Sequence, residues 1–406
     1  MKNKAVIAVN TSWADGIVLA GQKVVVVIFQ VIVAMLLVVG MVWPCYAQPE
    51  SAKQPVAAGQ PGATGQPRAT GQPVLPGQKL SFPQDHGAHP EQSIEWWYLT
   101  ANLTSDQGKT FGLQWTLFRT LAKDSGLQSA WWDNNIWFSH FALQDDHQHQ
   151  AFERFARAGQ AGVSVTPFSA WLDHWSLNST SESFLPLQLN AQEQGYQVNL
   201  TLDQSPLVLH GEQGYSQKTF EGHASYYYSY PLLQVTGSVV FDGQQYPVTG
   251  QAWYDREWSS GLLDDNYSGW EWFSIQKSLP DKGALMVFCL RDRKQAYHYC
   301  SGSDISPSGE VERLEHQQIQ LESTEVISLD QETYPVAWQL TIQHQATGSD
   351  NDSMNQPETT QPETTQLKIE SINRDSRNQL SVRYWEGRVR VSGSFSGLGY
   401  AELTGY

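Results

Sequence analysis

Two acids and a cation sit between tryptophans in the segment Gly250–Gly261: Asp255, Arg256 and Glu257 are flanked by Trp253 and Trp258. Gly269-Trp-Glu-Trp-Phe273 follows, adding Trp270 and Trp272. A carboxyl set against large apolar rings is poorly solvated, and poor solvation disfavours its charged form. Such a group suits proton transfer onto an apolar substrate better than phosphate or nucleic-acid chemistry. In a strand, Glu257 shares a side with Asp255, which makes a carboxylate pair. If both are buried, one is neutral. The structural alternative for Asp255 is an ion pair with Arg256 or Arg119.

Other residues could line the same site. Glu95-Trp-Trp-Tyr98 alternates its side chains across a strand, so one of Trp96 and Trp97 points into the core. Glu95 beside that much aromatic surface needs a partner, and Arg119 is the natural one. His140 and His174 lie in strand-like aromatic contexts that suit hydrogen-bonded core histidines. Asp85-His86 with His89, and His147 with His149, could touch a metal, but neither supplies a full ligand set. No metal site and no cofactor are expected. There is no Gly-x-Ser-x-Gly elbow, so serine-nucleophile hydrolysis is unsupported, and no phosphate-binding Gly-rich loop follows a strand.

The elements that must hold these residues are strands. The 406 residues are rich in Trp, Tyr and Gly, with 16, 17 and 32 of each, which favours an all-β chain with large side chains filling a barrel or lining a cavity. Short alternating or aromatic runs recur at 95–103, 111–118, 136–143, 196–202, 207–210 and 232–241, with turns such as Asp242-Gly243 between them. A second set follows at 270–276, 284–291, 296–302, 336–343, 367–372 and 385–394. No long stretch has helical periodicity. The chain turns polar over 346–366, where Gln-Pro-Glu-Thr-Thr is repeated back to back, and this is expected to be a disordered insertion in a surface loop.

The N-terminus carries an export signal. Lys2, Lys4 and Lys23 precede an apolar run over 24–43, and Cys45-Tyr-Ala47 offers small residues for cleavage after Ala47. The run is also nearly long enough to span a bilayer, so residues 1–47 are a signal peptide or an uncleaved anchor. Residues 48–78, with Gly-Gln-Pro at 59, 65 and 71, form a linker that cannot bury enough surface to fold. The bulk of the protein is expected outside the cytoplasm, periplasmic or secreted. A net charge of −16 argues against nucleic acid as a partner. Cys289 and Cys300 flank a hairpin tip, where either a bridge or two buried thiols fits.

Several motifs stand in order along the chain. They are Phe82-Pro-Gln-Asp-His-Gly-Ala-His89, Glu95-Trp-Trp-Tyr98, Phe111-Gly-Leu-Gln-Trp115 with Arg119, Ser139-His-Phe-Ala142, Leu209-His-Gly211, the 250–261 segment, and Gly399-Tyr-Ala-Glu-Leu-Thr-Gly-Tyr406. From about Phe82 to Tyr406 the sequence resembles the AttH and hydroxyneurosporene synthase (carotenoid 1,2-hydratase) group of lipocalin-like proteins, often labelled predicted secreted hydrolases. The resemblance implies two lipocalin-like (calycin) antiparallel β-barrels, expected over 79–250 and 251–406. Its hydratase members add water across an isolated carbon–carbon double bond without a cofactor. By the same resemblance, His223 in Glu221-Gly-His-Ala-Ser225 and Asp255 match the active-site histidine and aspartate. Trp253 stands where the hydratases carry Tyr, and Ser225 where they carry Trp.

Hydration of an unactivated alkene needs an acid, a π-rich surround for the cation, and a controlled water. Asp255 would be the acid, with His223 beside it and Trp253 and Tyr254 facing the cation. Glu95, Trp97, Arg119, His140, Glu257, Trp258, Trp270 and Trp272 would line the pocket, expected at the end of the first barrel. The expected ligand is an apolar lipid or isoprenoid. The alternative is a non-catalytic carrier or an accessory of an envelope transporter complex, using the same pocket only to bind.

Overall fold

The computed structural model describes residues 71–122, 129, 132–261, 266–344 and 363–406. The expected leader and most of the 48–78 linker lie outside these residues, as does most of the 346–366 insertion. At the end of that insertion a strand, Thr364–Ser371, is already formed, so its last three residues are not loop. Among the described residues there are two short 3-10 turns and no α-helix, and none of their helices is long and apolar enough to cross a membrane.

Two large antiparallel sheets make up the fold. The first has thirteen strands between Ile94 and Ser259, and the second has ten between Tyr267 and Leu403. The first sheet curls round so that its edge strand His149–Ala156 comes back to strands far along the order: Arg154 pairs with Glu193 at the end of Leu187–Glu193, at 2.6 Å. This curl encloses a core of Trp97, Trp115, Phe141, Trp175 and aliphatic residues. The second sheet wraps a separate core around Phe273, Trp338 and Trp385. The result is the pair of lipocalin-like barrels that the resemblance implies. A disulfide joins Cys289 to Cys300, which face each other across Ala284–Asp292 and Tyr297–Ile305.

The central element of the first sheet is the strand Gln244–Ser259, paired on one side with Ile94–Ser105 and on the other with Ala224–Phe241. It runs unbroken through Gly250, where an added Cβ would collide with the carbonyl of Asn102, so glycine permits the close approach of the two strands. The boundary expected at 250 therefore falls inside a strand, and residues 251–259 belong to the first sheet. Alternation divides the side chains of this strand. Tyr254 and Trp258 join the first barrel's core, while Trp253 joins a third apolar cluster with Trp272, Met286, Phe288 and Tyr400 of the second sheet.

Candidate functional site

Asp255 occupies the middle of a row on the outward face of the first sheet. Its register partners are Tyr98 on one side and Ser229 on the other. The row beyond holds Trp96, Glu257 and Tyr227. The second barrel covers this face, so Asp255 is only 3% exposed. Trp253, Trp272, Tyr98 and Tyr227 surround it within one cluster. Trp272 stands edge-on to Trp253 at 6.2 Å and to Tyr98 at 5.4 Å, and its indole N–H donates to the Tyr227 hydroxyl at 3.3 Å.

No arginine reaches Asp255. Its carboxyl accepts the Ser229 hydroxyl and the Trp253 indole N–H, the latter at 2.6 Å. Burial pushes its pKa up to about 7 and the neighbouring Glu257 charge adds to the rise, against the hydrogen bonds from Ser229 and Trp253. Glu257 lies on the same side, as expected, but has its own cation: Lys218 Nζ is 2.9 Å away and the Ser225 hydroxyl donates to it. The two acids thus sit in different environments, one paired with a cation and one without.

A histidine does reach Asp255, through one hydroxyl. His210 is fully buried, with Nε2 2.7 Å from Ser229 Oγ and Nδ1 2.9 Å from Ser303 Oγ of the second barrel. Because Ser229 donates to the carboxyl, its oxygen accepts from Nε2–H, and Nδ1 accepts the Ser303 hydroxyl. Burial first, and Lys218 second, lower the His210 pKa to about 3, so the ring is neutral. In the sequence His210 stands only within the Leu209-His-Gly211 motif, with nothing to mark a role. Its partners lie 19 and 93 residues away, and serine carries no signal of its own.

The other expected residues disperse. His223 lies six positions up the chain from Ser229, roughly 20 Å along an extended strand, with Nε2 3.0 Å from the Gly261 carbonyl oxygen. The structure therefore does not bring His223 to Asp255. Tyr254 points into the first barrel, because adjacent strand residues face opposite sides, so it cannot share a surface with Trp253. Glu95, Trp97, Arg119 and Trp258 also lie inside that barrel, away from Asp255. There Glu95 is bound by both Arg119 and Arg256, and Arg256 stacks on Trp97 at 3.9 Å and Trp258 at 4.8 Å. Burial would raise the Glu95 pKa, but Arg256, then His89 and Arg119, overcome it and hold it at about 2. The arginines expected as partners for Asp255 are thus taken by Glu95.

His140 bridges the barrels, with Nδ1 2.8 Å from Tyr384 Oη and Nε2 3.0 Å from Glu153. Trp270 donates to Glu402 at 2.9 Å on the edge of the join. Burial lifts Glu402 to about 7, with a small further push from Glu257. His86 packs on Phe184 at 3.9 Å and meets the Tyr228 hydroxyl at 2.6 Å, while His89 lies between Asp85 and Glu95. No cluster of three or more His, Cys, Asp or Glu poised for a metal occurs among the described residues.

Residues 73–406 match the AttH-like family. The chain belongs to that family. A crystal structure of an AttH protein from Nitrosomonas europaea shares 33% identity and a TM-score of 0.70, covering 82% of this chain and 99% of its own. Kievitone hydratase from Nectria haematococca superposes with a TM-score of 0.58 at 14% identity, covering 83% of this chain and 97% of its own. CghA, in its complex with Sch210972, gives 0.52 at 11% identity, covering 83% and 94%. These last two share the fold. Comparison with curated proteins finds no match.

Proposed function

We propose that this AttH-like protein is an exported, cofactor-free acid–base protein acting on an apolar, isoprenoid-like molecule, with Asp255 as the proton donor. The observation that carries the proposal is a buried carboxyl at about 7, faced by aromatic rings and without a cation of its own. A group with this pKa holds its proton and can release it near neutral pH. In the reaction, the Asp255 O–H bond breaks as the proton joins one alkene carbon. A tertiary cation forms on the other carbon, against the π faces of Trp253, Trp272 and Tyr98. Water adds to it and returns a proton to the carboxylate, so the acid is regenerated. The Ser229 hydroxyl and the neutral His210 ring hold the carboxylate's position during that exchange. The hydratase among the proteins of like fold supports this reaction class. Export is supported by the Cys289–Cys300 bridge, which suits an oxidising compartment, and by the leader-like run over 24–43.

The test is Asp255→Asn, assayed on a polyene substrate. Turnover should be lost, while melting at about pH 5–6 stays unchanged, because the protonated acid and the amide are near-isosteric there. Retained turnover would remove Asp255 from the chemistry. A second reading, a carrier that only binds, is favoured by one observation: the larger of the two cavities described lies in the second barrel and is not lined by Asp255.

A further inference from the structure

A cavity of about 580 Å³ opens on the second barrel, with Arg291, Tyr297, Leu321, Val326, Pro335 and Tyr406 in its lining. This volume lies within the range of small-molecule sites. Leu321 and Val326 come from the strand Ile319–Leu329, and Pro335 from its neighbour Glu332–Gln343. Val326 is 57% exposed, so an apolar side chain stands open to solvent at the edge of the cavity.

The charges at the cavity decide what fits. Arg291 is buried, with both terminal nitrogens taken by acceptors of the protein and its Nε facing Glu271 without a hydrogen bond. Its Nε lies 3.7 Å from the fully buried Glu271, its Nη1 donates to Gln295 and its Nη2 to the Thr404 carbonyl. Its guanidinium lies over the Tyr406 ring at 3.7 Å. Glu271 accepts the hydroxyls of Tyr297, at 2.7 Å, and of Tyr406. One buried cation therefore meets one buried anion, and the exposed Glu322 in the lining adds a further negative charge. An entering anion would add a negative charge beside Glu322 and near Glu271, whose charge already balances Arg291, while an entering cation would meet Arg291. An uncharged molecule meets neither penalty.

We propose that this cavity binds an uncharged, largely apolar ligand, whose hydroxyl-type groups, if present, meet Gln295, Ser323 and Thr333 in the lining. The proposal deepens the carrier reading and does not depend on acid chemistry at Asp255. The probes are N-phenylnaphthylamine and its anionic counterpart anilinonaphthalene sulfonate, which share a ring skeleton and differ in charge. Fluorescence titration of the full chain should show one-site saturation by the neutral probe. The preference over the sulfonate should be at least about tenfold, equivalent to about 1.4 kcal/mol. Val326→Trp, at an exposed position, should crowd the entrance and weaken the neutral probe by a similar factor. Glu271→Gln removes the internal counter-charge of Arg291 and should raise sulfonate affinity. Asp255→Asn should leave neutral-probe binding unchanged, so failure at this cavity and failure of the acid chemistry are read separately. Three results would overturn the proposal: no saturable binding of the neutral probe, equal or tighter binding of the sulfonate by the unaltered protein, or neutral-probe binding indifferent to Val326→Trp.

Discussion

His210 and Asp255 are joined by the single hydroxyl of Ser229, with His210 Nε2 2.7 Å from the oxygen whose proton goes to the carboxyl. The histidine is neutral, so it orients the hydroxyl without adding a charge. The acid's pKa is thus set mainly by burial and opposed by hydrogen bonds, with no ion pair of its own.

Removing one of those hydrogen bonds has a defined sign. The Ser229 hydroxyl donates to the carboxylate and favours its ionised form. Ser229→Ala should therefore move Asp255 above its value of about 7, by about one unit. The carbonyl stretch of the protonated acid, followed by difference infrared spectroscopy across a pH titration, reads the midpoint. A midpoint that stays put or falls would show that the hydroxyl does not stabilise the charge.

Asp255 contributes a stability that falls as pH rises. Folded Asp255 keeps its proton to about 7, while the ordinary value is 3.8, so between these limits the folded state holds a proton that the unfolded chain has lost. Glu402, also near 7, acts in the same direction, as do Glu386 and Glu271, both raised by burial. Glu95 acts oppositely, because its stabilisation is present above about 4.5 and is lost as pH falls toward 2. So do the buried histidines His210 and His86, held neutral with pKa values of about 3, because the unfolded chain binds protons on them below about 6.5 that the folded state does not. The acid and histidine contributions oppose each other between about pH 4 and pH 7, so urea unfolding of the unaltered protein is compared with that of Asp255→Asn across this range. Relative to the unaltered protein, Asp255→Asn should gain stability as pH rises through that range, on the order of 2–4 kcal/mol at the alkaline end. An unchanged slope in the variant would place the ionisation elsewhere.

Inside the first barrel, Glu95→Gln should be severely destabilising. It leaves two buried guanidinium groups, Arg119 and Arg256, without the carboxylate they share. Breaking a buried pair typically costs about 3–5 kcal/mol, and here both arginines lose their partner. The midpoint of guanidinium chloride unfolding measures it. A loss below about 1 kcal/mol would mean that the carbonyls of Gly87, His89 and Gln92, which also accept from these arginines, suffice alone.

The sequence shows a strand where apolar and polar residues alternate along it, and misses it where they do not. Tyr196–Asp203 alternates, and so does Leu187–Glu193 in its burial, although the latter's polar outer residues hid it. The long strand Ala224–Phe241 was legible only in its second half. Its first half reads Ser-Tyr-Tyr-Tyr-Ser-Tyr because both faces are buried: Tyr226, Tyr228 and Tyr230 enter the first core, and Tyr227 enters the join. With both faces covered, alternation of polarity disappears. The same geometry explains the misplaced site residues. Composition marked the 250–261 segment as unusual, but it could not say that Tyr254 and Asp255 belong to different compartments. Register decided that, and register is a long-range property.

The strand Gln244–Ser259 is a party wall. Tyr254 and Trp258 hold up one room and Trp253 the other, while Asp255 is set into the masonry between them. Neither barrel can be cut away cleanly, since the first would expose tryptophan and acid to water and the second would lose its lining. Drift in one half of the molecule is therefore constrained by the other, and the pair must be inherited together.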